Sequence, residues 1–371
     1  MRPRVLLLSL LCGCGTVAGA PDDPIPEPVD APGARAGFAP AAAPTSPANI
    51  AFLPPPAATG CTPQPLVTSP DGTATQYRSL ALDGASLAFL EWVTWQKSTG
   101  TDDGQYLASV DLASGTKTRL AHFVGGAQSL AFDASAYYVG VWGNASATGD
   151  GLGSLVRVER GTNATTTIAT DLSLSWSIAS SADSLLYAAR SADDSTVGLL
   201  AMSKDGGAAV EIGAGLDEGA RILADADGIA WIETSGGMGH LERRAGDLTT
   251  ELASGALVSK ALARAGDTFY FADDQGVLAV PVAGGAVTRI AKAPRVLEIF
   301  ADAKTVAWIQ GPSYGGDLAV NDDAVLVAMP AAGGGAVTAA HVHSPHDLVA
   351  DAASFYWVDN QTSIQHVCRP F

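Results

Sequence analysis

From about residue 80 onward, apolar residues recur on a two-residue beat in short runs separated by turn residues. That alternation predicts β-strands, and no segment carries a helical period. One unit returns throughout: apolar, any residue, apolar, Asp, three turn residues, then an apolar and aromatic strand. It reads LALDGASLAFLEW from residue 80, LAFDASAYYVGVW from 130, ILADADGIAWIE from 222, IFADAKTVAWIQ from 299 and LVADAASFYWVD from 348. Two weaker copies, IASSADSLLYAA from 178 and LARAGDTFYFAD from 262, fill the gaps. The aligned anchors are Asp83, Asp133, Ser181, Asp225, Ala265, Asp302 and Asp351, spaced by 50, 48, 44, 40, 37 and 49 residues.

The first six copies run on into a second hairpin with a Gly-containing turn, as in SVDLASGTKTRLA, LAMSKDGGAAVEIG and LAVPVAGGAVTRIA. Each unit is therefore strand a, tight turn, strand b, variable loop, strand c, Gly turn and strand d. Four antiparallel strands at this period form one propeller blade, and seven units predict an all-β, seven-bladed β-propeller of four-stranded blades. Leu87 and Phe89 in strand b, with their counterparts up to Phe355 and Trp357, fall on one strand face, and the residues between them are uncharged. Strand b is thus buried on both faces, and its aromatics are core rather than a ligand cage.

The last repeat supplies strands a, b and c but reaches Phe371 without a strand d. Pro65-Leu66-Val67-Thr68, ahead of the first repeat, is the available replacement, so an N-terminal strand closes the ring. Aligning Leu66 with Leu120 puts Cys61 at the position of Gly115, and Cys368 falls near Asp111 across the c–d turn. A disulfide between Cys61 and Cys368 is expected, because Cys12 leaves with the leader and Cys14 is the acylation candidate.

Residues 1–20 read as an export signal, with Arg2 and Arg4 before the apolar run Val5 to Leu11. Seven apolar residues cannot span a bilayer, which takes about 20 in a helix. Leu11-Cys12-Gly13-Cys14 resembles a lipobox with Cys14 as the lipidated residue. Ala18-Gly19-Ala20 instead resembles an ordinary cleavage site that would release a soluble protein. Residues 21–60 hold 11 of the 21 prolines and form a disordered Pro/Ala-rich linker, the usual stand-off of an anchored domain. The propeller occupies 61–371.

Composition narrows the partners. With 21 Lys and Arg against 38 Asp and Glu, the net charge is -17, which excludes a nucleic acid and leaves the membrane reachable only through the lipid anchor.

Phe355-Tyr356-Trp357-Val358-Asp359, with Asp351 four residues upstream, resembles the YWTD repeat of low-density-lipoprotein-receptor propellers. With the lipobox, the chain is similar to uncharacterised propeller lipoproteins of high-GC Gram-negative bacteria. The resemblance implies the fold and says nothing of a ligand, because propellers host unrelated functions.

Several constellations could carry chemistry. Gly311-Pro312-Ser313-Tyr314-Gly315 matches G-x-S-x-G, yet a strand follows it where a nucleophile elbow needs a helix. His341 and His343 could share a metal with His346 or Asp347 as third ligand, but an exposed outer strand explains the same residues and no metal is assigned. The doublets Asp102-Asp103, Asp193-Asp194, Asp273-Asp274 and Asp322-Asp323 lie between strands b and c. They could form a rim for Ca²⁺, but they lack the spacing of a calcium loop, and a solvated acidic surface is the better account. No cofactor is otherwise expected.

Five residues before each anchor, strand a should enter near the channel mouth. This places Arg78, Gln128, Trp176, Lys260 and His346, with Ala220 and Leu297, on the ligand face. The ring lacks a carboxylate pair or a nucleophile with its base. The sequence points to a monomeric, extracytoplasmic binding or scaffold module in the cell envelope, anchored at the outer membrane or periplasmic side, with a protein or small-molecule ligand on the loop face. The alternative is a propeller hydrolase or lyase working from the channel mouth.

Overall fold

The computed structural model describes residues 57–58, 60–69, 74–94, 104–142, 152–190, 196–217, 219–311 and 323–371. Seven four-stranded antiparallel sheets are present, one for each repeat. The first comprises Ala74–Asp83, Ser86–Thr94, Gly104–Asp111 and Lys117–Phe123, in that spatial order. Five further sheets repeat this up-and-down order with consecutive strands. The seventh differs: His346–Ala350, Ser354–Asp359 and Ser363–Cys368 take Gln64–Thr68 as the outer strand. Val67 lies opposite Ile364, and Cys61 is bonded to Cys368 with the Cα atoms 5.5 Å apart.

Strand b has the two-sided burial that its composition predicts. Leu87 and Phe89 pack with Tyr356 and Val358 of the seventh blade. Ala88 and Leu90, pointing the other way, pack with Tyr137 and Val139 of the second. Each strand b therefore serves two inter-blade cores at once, which is why its residues alternate direction without alternating polarity. Trp231, Trp308 and Trp357 are all buried in these cores.

The repeated aspartate has a structural role on the a–b turn face. Asp133 Oδ1 accepts the backbone N–H of Ser135 and Ala136, and Lys204 of the third blade reaches its Oδ2 at 2.7 Å. Arg160 likewise meets Asp83, Arg264 meets Asp225 and Arg369 meets Asp302. At Asp133, Asp225 and Asp302 one carboxylate thus caps its own turn and holds a cation from the following blade. Burial pulls Asp133 upward, but the Lys204 and Ser135 hydrogen bonds outweigh it and hold the carboxyl far below its usual range. In the third blade, where Ser181 replaces Asp, its hydroxyl accepts the Ser184 N–H at 3.1 Å and closes the turn without charge.

Two described residues ahead of residue 61 pair with the sixth blade. Ala57 bridges Thr338 in parallel, and Ala58 N donates to Thr338 O at 2.8 Å. Pro56 is the last proline of the 21–60 segment, and the two alanines after it carry the N–H that a ladder needs. Outer strand Val337–His343 is accordingly not an exposed edge along its length: Thr338, Ala339 and Ala340 are buried.

Candidate functional site

The chain runs down each inner strand from the d–a connection, so the first residues of strand a line the channel mouth on the b–c loop face. Six of the seven inner strands shift register there, for example between Arg78 and Ala81, Ala127 and Ser129, Val296 and Glu298, and His346 and Val349. An irregularity of this kind turns a side chain away from the strict period-2 direction. Ser79 and Asp347 take φ of 55° and 61°, left-handed values that cost a non-glycine residue free energy.

The residues that meet one another across blades are consequently those four before each anchor, one position beyond the ring expected from sequence. Glu298 of the sixth blade accepts the N–H of Asp347 at 3.1 Å and of Leu348 at 2.7 Å. Asp347 Oδ2 accepts the Ser79 N–H at 2.7 Å, and Ser79 Oγ donates to Gln128 O at 2.8 Å. A continuous polar arc thus runs through blades six, seven, one and two. Desolvation, and then the nearby Asp347 carboxylate, push the Glu298 carboxyl above its usual range, against Arg221 and two backbone donors. Burial also lowers the Arg78 guanidinium, with Asp347 pulling it back.

The expected ligand-face residues are dispersed among different environments. Arg78, next to Ser79 in the chain, donates from Nη2 to Gln76 Oε1 at 3.1 Å, with its guanidinium 5.5 Å from the Trp92 ring centre. Gln128 meets the arc through its backbone O, and its buried Oε1 has no donor among the described residues. Lys260 is exposed. His346 opens its strand with Nε2 4.0 Å from Asp347 Oδ2. Trp176 lies in strand Leu174–Ser180, and its side chain is outside the described residues. Ala220 is fully buried, and its carbonyl accepts the Ser177 hydroxyl rather than facing the channel.

His341 and His343 are exposed on the outer strand of the sixth blade, and His343 Nδ1 stands 3.7 Å from Asp359. Among the described residues no three His, Cys, Asp or Glu side chains are gathered to hold a metal ion. Asp273 is engaged: it caps its turn and takes both Arg289 nitrogens, at 2.7 and 2.6 Å. Asp102-Asp103, Asp193-Asp194 and Asp322 lie outside the described residues, as does the G-x-S-x-G segment beyond Gly311.

Sequence reasoning missed Glu298, and it met Asp347 only as a possible neighbour of the histidine cluster. Their signal was present, since both are carboxylates at one repeat position in a strand otherwise apolar or small. The expected ring was taken five residues before each anchor, and these two lie four before.

No family model matches the chain, and no curated protein is similar to it in sequence. Solved structures do match. A catalytically inactive virginiamycin B lyase from Staphylococcus aureus with quinupristin superposes with a TM-score of 0.55 at 12% identity, covering 83% of this chain and 99% of that one. The β-propeller domain of the Trilobed protease from Pyrococcus furiosus gives 0.55 at 8% identity, over 79% and 93%. Acylaminoacyl peptidase from Pyrococcus horikoshii gives 0.53 at 10%, over 77% of this chain and 49% of that one. At such identities the likeness carries the fold alone. The chain is a seven-bladed β-propeller.

Proposed function

We propose that the chain is an extracytoplasmic binding module that takes its ligand at the channel mouth on the b–c loop face. The observation that carries this reading is the polar arc from Glu298 through Asp347 and Ser79 to Gln128, with the Arg78 guanidinium under the influence of Asp347. Four blades converge there, with left-handed backbone at Ser79 and Asp347. Strained, desolvated polar groups gathered at one opening are the mark of a recognition site. The test is a thermal-shift screen of small molecules against the wild-type protein and Arg78→Ala. A mouth ligand raises the wild-type melting temperature and loses most of that effect in the variant. Ligands whose effect survives Arg78→Ala, with binding mapped to the outer strands or the a–b turn face, would overturn the reading.

A second reading rests on a different observation. Glu298, with its raised pKa, stands beside Asp347, and two carboxyls in unequal environments can act as acid and base. That suits a hydrolase or lyase, and the similar structures include a lyase and two peptidases. Both carboxyls already accept backbone N–H groups, which favours positioning over proton transfer and keeps binding as the first reading.

The disulfide supports an oxidising compartment, consistent with export through residues 1–20. Under this proposal Cys14 carries the lipid. The protein partitions into detergent, and Cys14→Ala releases it to the aqueous phase or stalls processing. A water-soluble product cleaved after Ala20 would end the anchor proposal and leave the binding proposal standing.

A further inference from the structure

One tetrapeptide occurs twice on the outer rim of the propeller. Gly-Ala-Val-Thr stands at 285–288 in the fifth blade and at 335–338 in the sixth, each time where the c–d turn enters the outer strand. In the sixth blade Val337 is half-buried and Thr338 is 4% exposed, with Ala57 and Ala58 paired along that edge. In the fifth blade Val287 is 44% exposed and Thr288 is exposed as well. A single exposed valine is ordinary on a protein surface. Here the same residues in the same setting differ in whether a chain segment lies over them.

The N-terminal chain points from the covered copy toward the bare one. Traced back from strand Gln64–Thr68 of the seventh blade, it passes the Cys61–Cys368 bond and meets the sixth blade at Ala58 and Ala57. Continued in the same sense around the rim, it comes next to the fifth blade. The bridge to Thr338 is parallel, so the residues before Ala57 pass Val337 and the c–d turn, not the loop face. Pro54, Pro55 and Pro56 lack the N–H to lengthen the ladder. They favour a stiff polyproline rise of about 3.1 Å per residue. Leu53 then stands about 12 Å from Ala57, enough to cross to a neighbouring sheet, since packed sheets lie about 10 Å apart. Phe52 and Leu53 are the only large apolar residues adjacent in sequence between residues 21 and 56.

We propose that Phe52 and Leu53 dock on the outer edge of the fifth blade and cover Val287. The N-terminal segment is then a strap over three blades rather than a free linker, and it lies clear of the mouth. The occupant is this chain's own segment, because it is already held at Ala57 within reach of the site. Ordering a few residues beside a fixed point costs far less than bringing in a separate molecule. The strap also blunts an edge. Outer strand Thr288–Lys292 pairs on one side only, and its other side presents backbone groups that invite pairing with another chain.

The experiment uses the full chain with two substitution pairs, Leu53→Cys with Val287→Cys and Leu53→Cys with Leu248→Cys. Leu248, 69% exposed at the start of the fourth blade's outer strand, is the matched control one blade farther on. Mild oxidation joins the first pair within one chain at about tenfold the yield of the second, read by peptide mapping. Chymotrypsin gives a second measure. Val287→Asp speeds cleavage after Phe52 about tenfold, leaves cleavage after Phe38 unchanged and keeps the melting temperature. The inference is overturned if the two pairs join equally or not at all, or if Val287→Asp leaves both cleavage rates as they are in the wild type. It is also overturned if the first pair joins only between chains, which would give the rim to a second copy.

Discussion

Reduction of the mature protein lowers its melting temperature by about 5–8 °C, and Cys368→Ser reproduces that loss without a reductant. The Cys61–Cys368 bond closes a loop with a sequence separation of 307 residues. In the chain-entropy account a loop of that length removes on the order of 5 kcal/mol of freedom from the unfolded state, an upper bound. Over a domain of this size each kcal/mol moves the midpoint by roughly 1.5 °C. The bond sits where the ring is most exposed to opening, because the outer strand Gln64–Thr68 and its neighbour Ser363–Cys368 come from opposite ends of the propeller. Cys61→Ser should match Cys368→Ser, and the double variant should add nothing. Calorimetric scans with and without reductant make the measurement. An unchanged midpoint would show that strand pairing alone closes the ring.

Arg369→Ala costs about 2–3 kcal/mol, and Arg369→Lys recovers only part of it. The Arg369 side chain is 2% exposed and clamps both oxygens of Asp302, at 2.6 and 2.8 Å. It also donates to Asp351 O at 2.7 Å and lies 5.4 Å from the Phe355 ring centre. Removing it takes away one tie between the sixth and seventh blades, but Asp302 is 36% exposed and rehydrates, so the loss stays below that of a fully buried pair.

The pH dependence follows from Asp302. Burial raises its pKa, but the Arg369 hydrogen bond and the turn N–H groups prevail and leave it below the usual value. A carboxyl depressed in the folded state stabilises above its unfolded pKa of about 3.9, and that stabilisation fades as pH falls through the folded value. Denaturant titrations should therefore show the wild type and Arg369→Ala well separated at neutral pH and converging below about pH 4. A gap that persists undiminished at about pH 2 would assign the effect to packing on Phe300 and Phe355 instead.

The seven anchors could be counted from the sequence because a propeller makes the same local demand in every blade. An a–b turn needs an acceptor for its N–H groups, which Asp133, Asp302 and Asp351 supply. Strand b needs apolar residues in both directions, which any Leu-Ala-Phe-Leu run displays. The ring closure was legible for a related reason. An unpaired strand edge and two leftover cysteines have few ways to be satisfied, and Gln64–Thr68 with Cys61–Cys368 satisfies both.

The mouth was not legible, since it depends on backbone shifts that leave no periodic trace. A bulge at Arg78 to Ala81 or at His346 to Val349 advances the phase by one residue, so Ser79 and Asp347 reach across blades where Arg78 and His346 had been expected. The cation that meets each turn aspartate is equally hidden. Arg160, Lys204, Arg264 and Arg369 come from unlike places, a c–d turn, another c–d turn, an inner strand and the last residues of the chain. Repeated local chemistry is written within each unit, where one strand and its turn suffice to express it. Contacts between units depend on the curvature of the closed ring, which brings together side chains that share no sequence spacing.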